Sequence, residues 1–169
     1  MMNNAAFLKL LPAADEAPLF TMIDRFEECE AILARNNVGR LGFALQDRVS
    51  IVPVHYVYER GWIYGRTAQG RKLREILRNR RVVFEVDEHS QLFDWRSVVV
   101  RGPLHLIEPG TTAANASIHA KAVSLIRRLV PSELTASDPM PFSDQLFRIR
   151  VVEISGRAST QSAGREGAR

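Results

Sequence analysis

Three apolar, β-rich runs follow one another with almost nothing between them: Val38 to Leu45, Val49 to Tyr58 and Trp62 to Thr67. The connections, Gln46-Asp47-Arg48 and Glu59-Arg60-Gly61, suit hairpins and are far too short for the crossover that parallel strands need, so the three runs predict an antiparallel meander. Within the second run Pro53 has no N–H to give to a ladder. It therefore marks an edge, a bulge or a place where pairing opens, and such places are often where a ligand meets the backbone.

Around this meander the rest of the chain reads as follows. Residues 1 to 20 contain prolines and no clear period, and are expected to form an arm. Asp24 with Glu27 three residues later has the form of a capping box, and Phe26, Cys29 and Leu33 fall at helical spacing, predicting a helix that stops at Asn36-Asn37. A second helix of two to three turns starts near Arg71. Arg81 to Asp87 alternates as a strand, residues 88 to 96 read as a loop, and Ser97 to Ile107 is a long strand broken at Gly102-Pro103. Thr111 or Thr112 can cap a further helix to about Val130, and Gln145 to Ile154 supplies a last strand. From Ala158 the tail, residues 158–169, has nothing to bury and is expected to be flexible. The expected fold is α+β, with about six antiparallel strands and flanking helices in one domain over residues 21–157. Closing such a sheet into a small barrel removes the edges that an open sheet leaves.

Composition narrows the chemistry. The 169 residues are 46% hydrophobic and 25% charged, ordinary for a soluble globular protein. The single cysteine, Cys29, excludes an internal disulfide, suits a cytoplasmic protein and reads as a small core residue rather than a nucleophile. No cationic segment precedes the first short apolar run as in a signal peptide, and no apolar run approaches membrane-spanning length, so no membrane partner is expected. The histidines His55, His89, His105 and His119 lack metal-ligand spacing, so no metal site is expected. No nucleophile elbow, Walker loop or strand-borne GxGxxG is present. If the protein is an enzyme, a cofactor carries the chemistry.

One stretch concentrates charge. From Arg66 to Arg81 seven basic residues face a single acid, Glu75, for a local +6, while the whole chain carries +4 and the remainder therefore −2. The helix beginning at Arg71 has Arg71, Lys72 and Arg74 in its first turn and no Ser, Thr, Asp or Asn immediately before it, an arrangement that opposes the helix dipole. A phosphate at that terminus would resolve the conflict, because free amides and flanking cations together hold an anion. The plainer alternative is a solvated basic face. Two further segments are candidates: Val52 to Tyr56, whose members Pro53, Val54, His55 and Tyr56 lie across the meander from the basic helix, and Asp94 to Arg101, with Trp95 and Ser97. Nucleic-acid binding has less behind it, since no helix-turn-helix or RNP-like aromatic pair accompanies the charge.

Taken in order, VGRLGF (38–43), IVPVHYVY (51–58), IYGRTAQGRK (63–72), VVFEVD (82–87) and WRSVVVRG (95–102) resemble the FMN-binding split-barrel family related to pyridoxamine 5′-phosphate oxidase, with a closest likeness to nitroimidazole-resistance-type proteins. The resemblance implies an antiparallel split β-barrel that forms a homodimer with FMN in two interface clefts. It implies that Pro53, Val54, His55 and Tyr56 run beside the isoalloxazine ring and that Arg66 and Thr67 lie by the ribityl-phosphate. Arg71 and Lys72 would hold the phosphate, Ser97 and Val98 would reach the pyrimidine side, and Trp95 would close the cleft. The function so implied is a flavin-dependent oxidoreductase acting on a small organic molecule, with a non-catalytic flavin, deazaflavin, FAD or haem-type binding protein as the alternative. The further basic residues that the oxidase carries near its C-terminus for its own substrate are absent here.

Overall fold

The computed structural model describes residues 20–110 and 112–159. The meander forms as expected: β2 (Val38–Leu45) pairs with β3 (Arg48–Glu59) from Val38↔His55 to Leu45↔Arg48, and β3 pairs with β4 (Trp62–Thr67) from Tyr56↔Gly65 to Glu59↔Trp62. At the second turn Arg60 (φ 48°) and Gly61 (φ 77°) both take positive φ, the signature of a tight hairpin turn whose hand matches the strand twist. The two registers do not overlap. Arg48 to His55 run against β2, and Tyr56 to Glu59 against β4. The strand thus changes partner between His55 and Tyr56, and among the described residues no strand pairs with its side facing away from β2 upstream of Tyr56.

A second strand is divided in the same way. β5 (Arg81–Gln91) pairs with β2 on one side and with β6 (Asp94–Ile107) on the other. β6 follows β5 as far as Arg81↔Pro103, then its last four residues pair with β7 (Gln145–Arg150), from Leu104↔Ile149 to Ile107↔Leu146. The expected break at Gly102-Pro103 is this changeover. A Cβ at Gly102 would lie 1.8 Å from the Arg150 carbonyl oxygen, so only glycine allows β7 to turn away so closely. Gly102→Ala is expected to lower the unfolding free energy by about 1–3 kcal/mol, the usual cost of overpacking, measured by denaturant unfolding.

Six strands close a ring in the order β6-β5-β2-β3-β4-β7 and back to β6, while β8 (Glu153–Ser159) and β1 (Phe20–Ile23) extend the sheet outside it along the free side of β6. The split barrel expected from the sequence is therefore present, with two strands more than the six foreseen. Three boundaries differ. Residues 88–96 are not a loop but a hairpin: β5 and β6 remain paired to Gln91↔Asp94. The single strand expected over Gln145 to Ile154 is two, parted at Val151 and Val152. Ala158 and Ser159 are buried in β8 rather than starting a free tail. The arm over residues 1–19 and the tail from 160 lie outside the described residues.

The helices pack on this frame. α1 (Phe26–Arg35) has Arg25 at its N-cap with no side-chain bond, so Asp24 does not form the expected capping box. Glu27 and Glu28 in its first turn complement the dipole instead. It ends at Asn36 as foreseen, and Cys29, Ile32 and Leu33 enter the barrel core with Leu41, Tyr56, Phe84 and Ile149. The Tyr56 hydroxyl donates to the Leu33 carbonyl at 2.8 Å, pinning the helix end to β3. α2 (Arg71–Arg78) adds Ile76 to the same core. α3 (Ala113–Leu129), whose first turn is capped by Thr112 Oγ1 accepting from the Asn115 amide, buries Ala122, Leu125 and Ile126 against Tyr64, Ile107 and Leu146.

Candidate functional site

Strand alternation sorts the expected ring-side residues. Val54, Tyr56 and Val98 are buried in the barrel core, so their side chains are turned away from any external ligand and only their backbone groups can meet one. Pro53 and His55 lie exposed on the outer face beside Ile51. The same face carries a polar cluster that the sequence did not reveal. Ser97 Oγ donates to Glu85 at 3.0 Å, and Arg40 bridges Glu85 and Asp87. Trp95 is half-buried at the start of β6, its amide directed to Ser159 Oγ at 3.4 Å.

The basic terminus lies just beyond the end of β4. Thr67 is buried, and Gly70 precedes α2 without offering any side-chain acceptor to the first-turn amides, none of whose flanking residues is acidic. Arg71 is not free: its Nε donates to Glu75 at 2.7 Å, back along the helix, and its side chain is 61% exposed. Lys72 differs. It is half-buried, burial pushes its ammonium below the usual lysine range, and among the described residues no carboxylate forms an ion pair with it. A partly desolvated cation without a counter-ion, beside uncapped helix amides, suits an anion.

Arg66, expected beside the ribityl-phosphate, is engaged within the protein. Its guanidinium donates to both oxygens of Asp138, at 2.6 and 3.0 Å, lies 3.1 Å from Glu133, and reaches the Met140 and Ser143 carbonyls at 3.4 Å. All three charged side chains are 3–4% exposed. Arg66 Nη atoms therefore staple the loop between α3 and β7 to the end of β4. The guanidinium hydrogen bonds hold the Asp138 carboxyl well below the usual range, helped by the Leu134 and Met140 amides that donate to it. The sequence signal for this was slight: two acids, Glu133 and Asp138, in an aperiodic stretch around Pro131 and Pro139.

The arrangement can do two things: hold an anion at the start of α2, and present an open backbone edge of β3 upstream of Tyr56. Neither supplies a nucleophile or an acid–base pair. Comparison with known proteins gives a consistent result. The family model for pyridoxamine 5′-phosphate oxidase matches residues 26–158. An uncharacterised protein of Rhizobium meliloti is 25% identical over 152 residues, covering 83% of this chain and 97% of its own length. Among solved structures, a FAD-binding protein of Mesorhizobium loti superposes with a TM-score of 0.69 at 27% identity, over 85% of this chain and 100% of that one. A FAD-binding protein of Mycobacterium smegmatis gives 0.58 at 25%, over 81% and 98%. A proposed 5-nitroimidazole antibiotic resistance protein of Bacteroides thetaiotaomicron shares the fold, with 0.66 at 18% over 82% and 87%.

Proposed function

This chain belongs to the pyridoxamine 5′-phosphate oxidase family, and from that membership we propose that it is a flavin-binding protein, taking FMN or FAD by the phosphate next to the ribityl chain at the start of α2. The observation that carries the reading is Lys72, half-buried and, among the described residues, without a carboxylate partner at an uncapped, acid-free helix terminus. That the Mesorhizobium and Mycobacterium proteins bind FAD supports a flavin and leaves FMN, the smaller form with the same phosphate, to direct measurement. The isoalloxazine would lie along the open edge of β3 upstream of Tyr56, where backbone groups not used by β2 face its polar edge. Lys72 holds the phosphate, Thr67 closes its inner side, and the Ser97–Glu85 pair limits access of water on the outer face. Bound flavin supplies two-electron transfer to or from a small organic molecule.

The ring needs a second wall, since the barrel interior is filled by side chains. Val38, Val49, Ile51 and Val83 are 40–76% exposed on the outer face of β2, β3 and β5. A second copy packed on that face would cover them and sandwich the ring in a homodimer. The purified protein is expected to be yellow, with oxidised-flavin bands, and chromatography of the released chromophore assigns FMN or FAD. A colourless protein that takes up neither would overturn the proposal. A monomeric mass with flavin fully bound would defeat the dimer while leaving flavin binding intact.

A further inference from the structure

We propose a second anion site, independent of the flavin, on the outer face of β4, β7 and the end of β6, where Arg148, Arg150 and Arg80 gather around Trp62 and His105 to take a phosphate-bearing small molecule. Alternation sets the face: Ile63, Ile149 and Leu104 point into the core at 0–1% exposure, while their neighbours Trp62, Arg148, Arg150 and His105 point outward. The registers Trp62↔Arg150, Tyr64↔Arg148 and His105↔Arg148 bring the side chains together across three strands. The Arg80 backbone lies next to this group, its carbonyl accepting the Leu104 amide at 2.8 Å, one residue from His105.

The cluster is ordered by its aromatic residue. The Arg148 guanidinium lies 4.2 Å from the Trp62 ring centroid, and the His105 ring meets the same indole edge-on at 6.0 Å. Stacking of this kind pre-orients a guanidinium while leaving its N–H groups free for a planar or tetrahedral anion. Burial, and then Arg148, Arg80 and Arg150 in that order, push the His105 imidazole below its usual range, so all three guanidiniums lie within electrostatic reach of one point.

Counter-charge is missing here, as it is among the described residues at Arg48, Arg74, Arg78 and Arg101; what sets this group apart is its assembly around the Trp62 ring. Arg35, Arg40, Arg66, Arg71 and Arg128 each have a carboxylate partner, but among the described residues none pairs with Arg80, Arg148 or Arg150. Glu59, the register partner of Trp62, is engaged by Arg128 at 3.5 Å. Glu108, which shares a cavity of about 160 Å³ with Arg148, makes no ion pair with it. α3 covers the Tyr64, Ile107 and Leu146 end of this face and borders one side of Trp62 and Arg148, while Arg80 and Arg150 remain exposed. Three guanidiniums match the charge of a pyrophosphate or nucleoside diphosphate, and each paired bond with phosphate oxygens is of the strong, charge-assisted kind.

The test is calorimetric titration of the purified protein with inorganic pyrophosphate and with ADP, in parallel with an Arg148→Ala/Arg150→Ala double variant, an Arg48→Ala control at the β2–β3 turn, and Lys72→Ala. Saturable binding that falls at least about tenfold in the double variant, and less than about twofold in Arg48→Ala and Lys72→Ala, is the expected result. Equal affinity for the two ligands would assign recognition to the phosphoryl groups, and tighter ADP binding would add a base contact; both support the site. In wild type the His105 imidazole, followed by NMR, should titrate at higher pH with pyrophosphate present, because the anion offsets Arg148, Arg150 and Arg80, the charged groups facing it. Absence of binding, loss of binding in Lys72→Ala with none in the double variant, or much tighter binding of a single-stranded oligonucleotide than of either diphosphate would each overturn the proposal.

Discussion

Replacing Lys72 by alanine is expected to weaken flavin binding by roughly ten- to a hundredfold, the loss of one charge-assisted contact worth on the order of 1.5–3 kcal/mol. Arg71→Ala should do much less, since its guanidinium is engaged by Glu75 at 2.7 Å. The double variant Arg71→Ala/Lys72→Ala should be close to Lys72→Ala alone. Arg78→Ala with Arg80→Ala removes the same formal charge at and beyond the far end of α2 and should leave affinity nearly unchanged. Fluorescence titration of flavin onto the apoprotein reads all four. Equal losses in the two double variants would assign the effect to general basicity. The pH dependence adds a sign. Burial lowers the Lys72 pKa and a bound phosphate raises it again, so affinity should fall as pH rises through the lowered value, before the range of an ordinary lysine near 10.5. Lys72→Arg keeps its charge throughout and should flatten that fall.

Arg66→Ala should cost about 3 kcal/mol of unfolding free energy, toward the low end of the range for breaking a buried ion pair, because the loop carrying Glu133 and Asp138 can swing into water once released. For a chain of this size that corresponds to a drop in Tm of roughly 6–12 °C. The acid limb should change too. With a native pKa held below its unfolded value of about 3.9, Asp138 contributes stability that is present above that pH and lost as pH falls below it. Without Arg66 that dependence becomes shallower. Flavin affinity separates the two tasks considered for this residue. A loss in Arg66→Ala equal to that in Lys72→Ala would return it to the phosphate site, whereas retained flavin with a lowered Tm fits a loop staple.

Much of the fold could be read from the residues because the meander obeys period two and its turns are short. The β5–β6 hairpin could not, because EHSQLFDWR has no apolar alternation. Its strands run past the barrel and are held by backbone pairing with Leu92 and Phe93 exposed at the tip. The turn between β7 and β8 was hidden for the opposite reason: Val151 and Val152 continue the apolar run, with no Gly or Pro to announce a reversal. Asp24 looked like a cap, but sequence spacing does not place a side chain, and the helix starts one residue later than that role requires. At the candidate site, the phosphate end was legible as net charge. The proposed ring end was not, since Val54, Tyr56 and Val98 turn their side chains into the core, leaving only backbone atoms that every residue carries to face a ligand.

The two divided strands also govern how such a chain reaches its native state. Each half of the barrel borrows part of β3 or β6, so neither half can complete its hydrogen bonding without the other. The ring closes only when Ile149 finds Leu104, after the whole of α3 and its following loop have been made. Until then the far end of β6 and the outer side of β4 are bare strand edges on a nascent chain, and joining them pays for a long loop before any contact repays it. Closure is the slow, non-local event. A ribosome that has not yet released β7 therefore holds an open, sticky curl of five strands, and crowding at that stage, rather than weakness of the finished barrel, sets the hazard of aggregation.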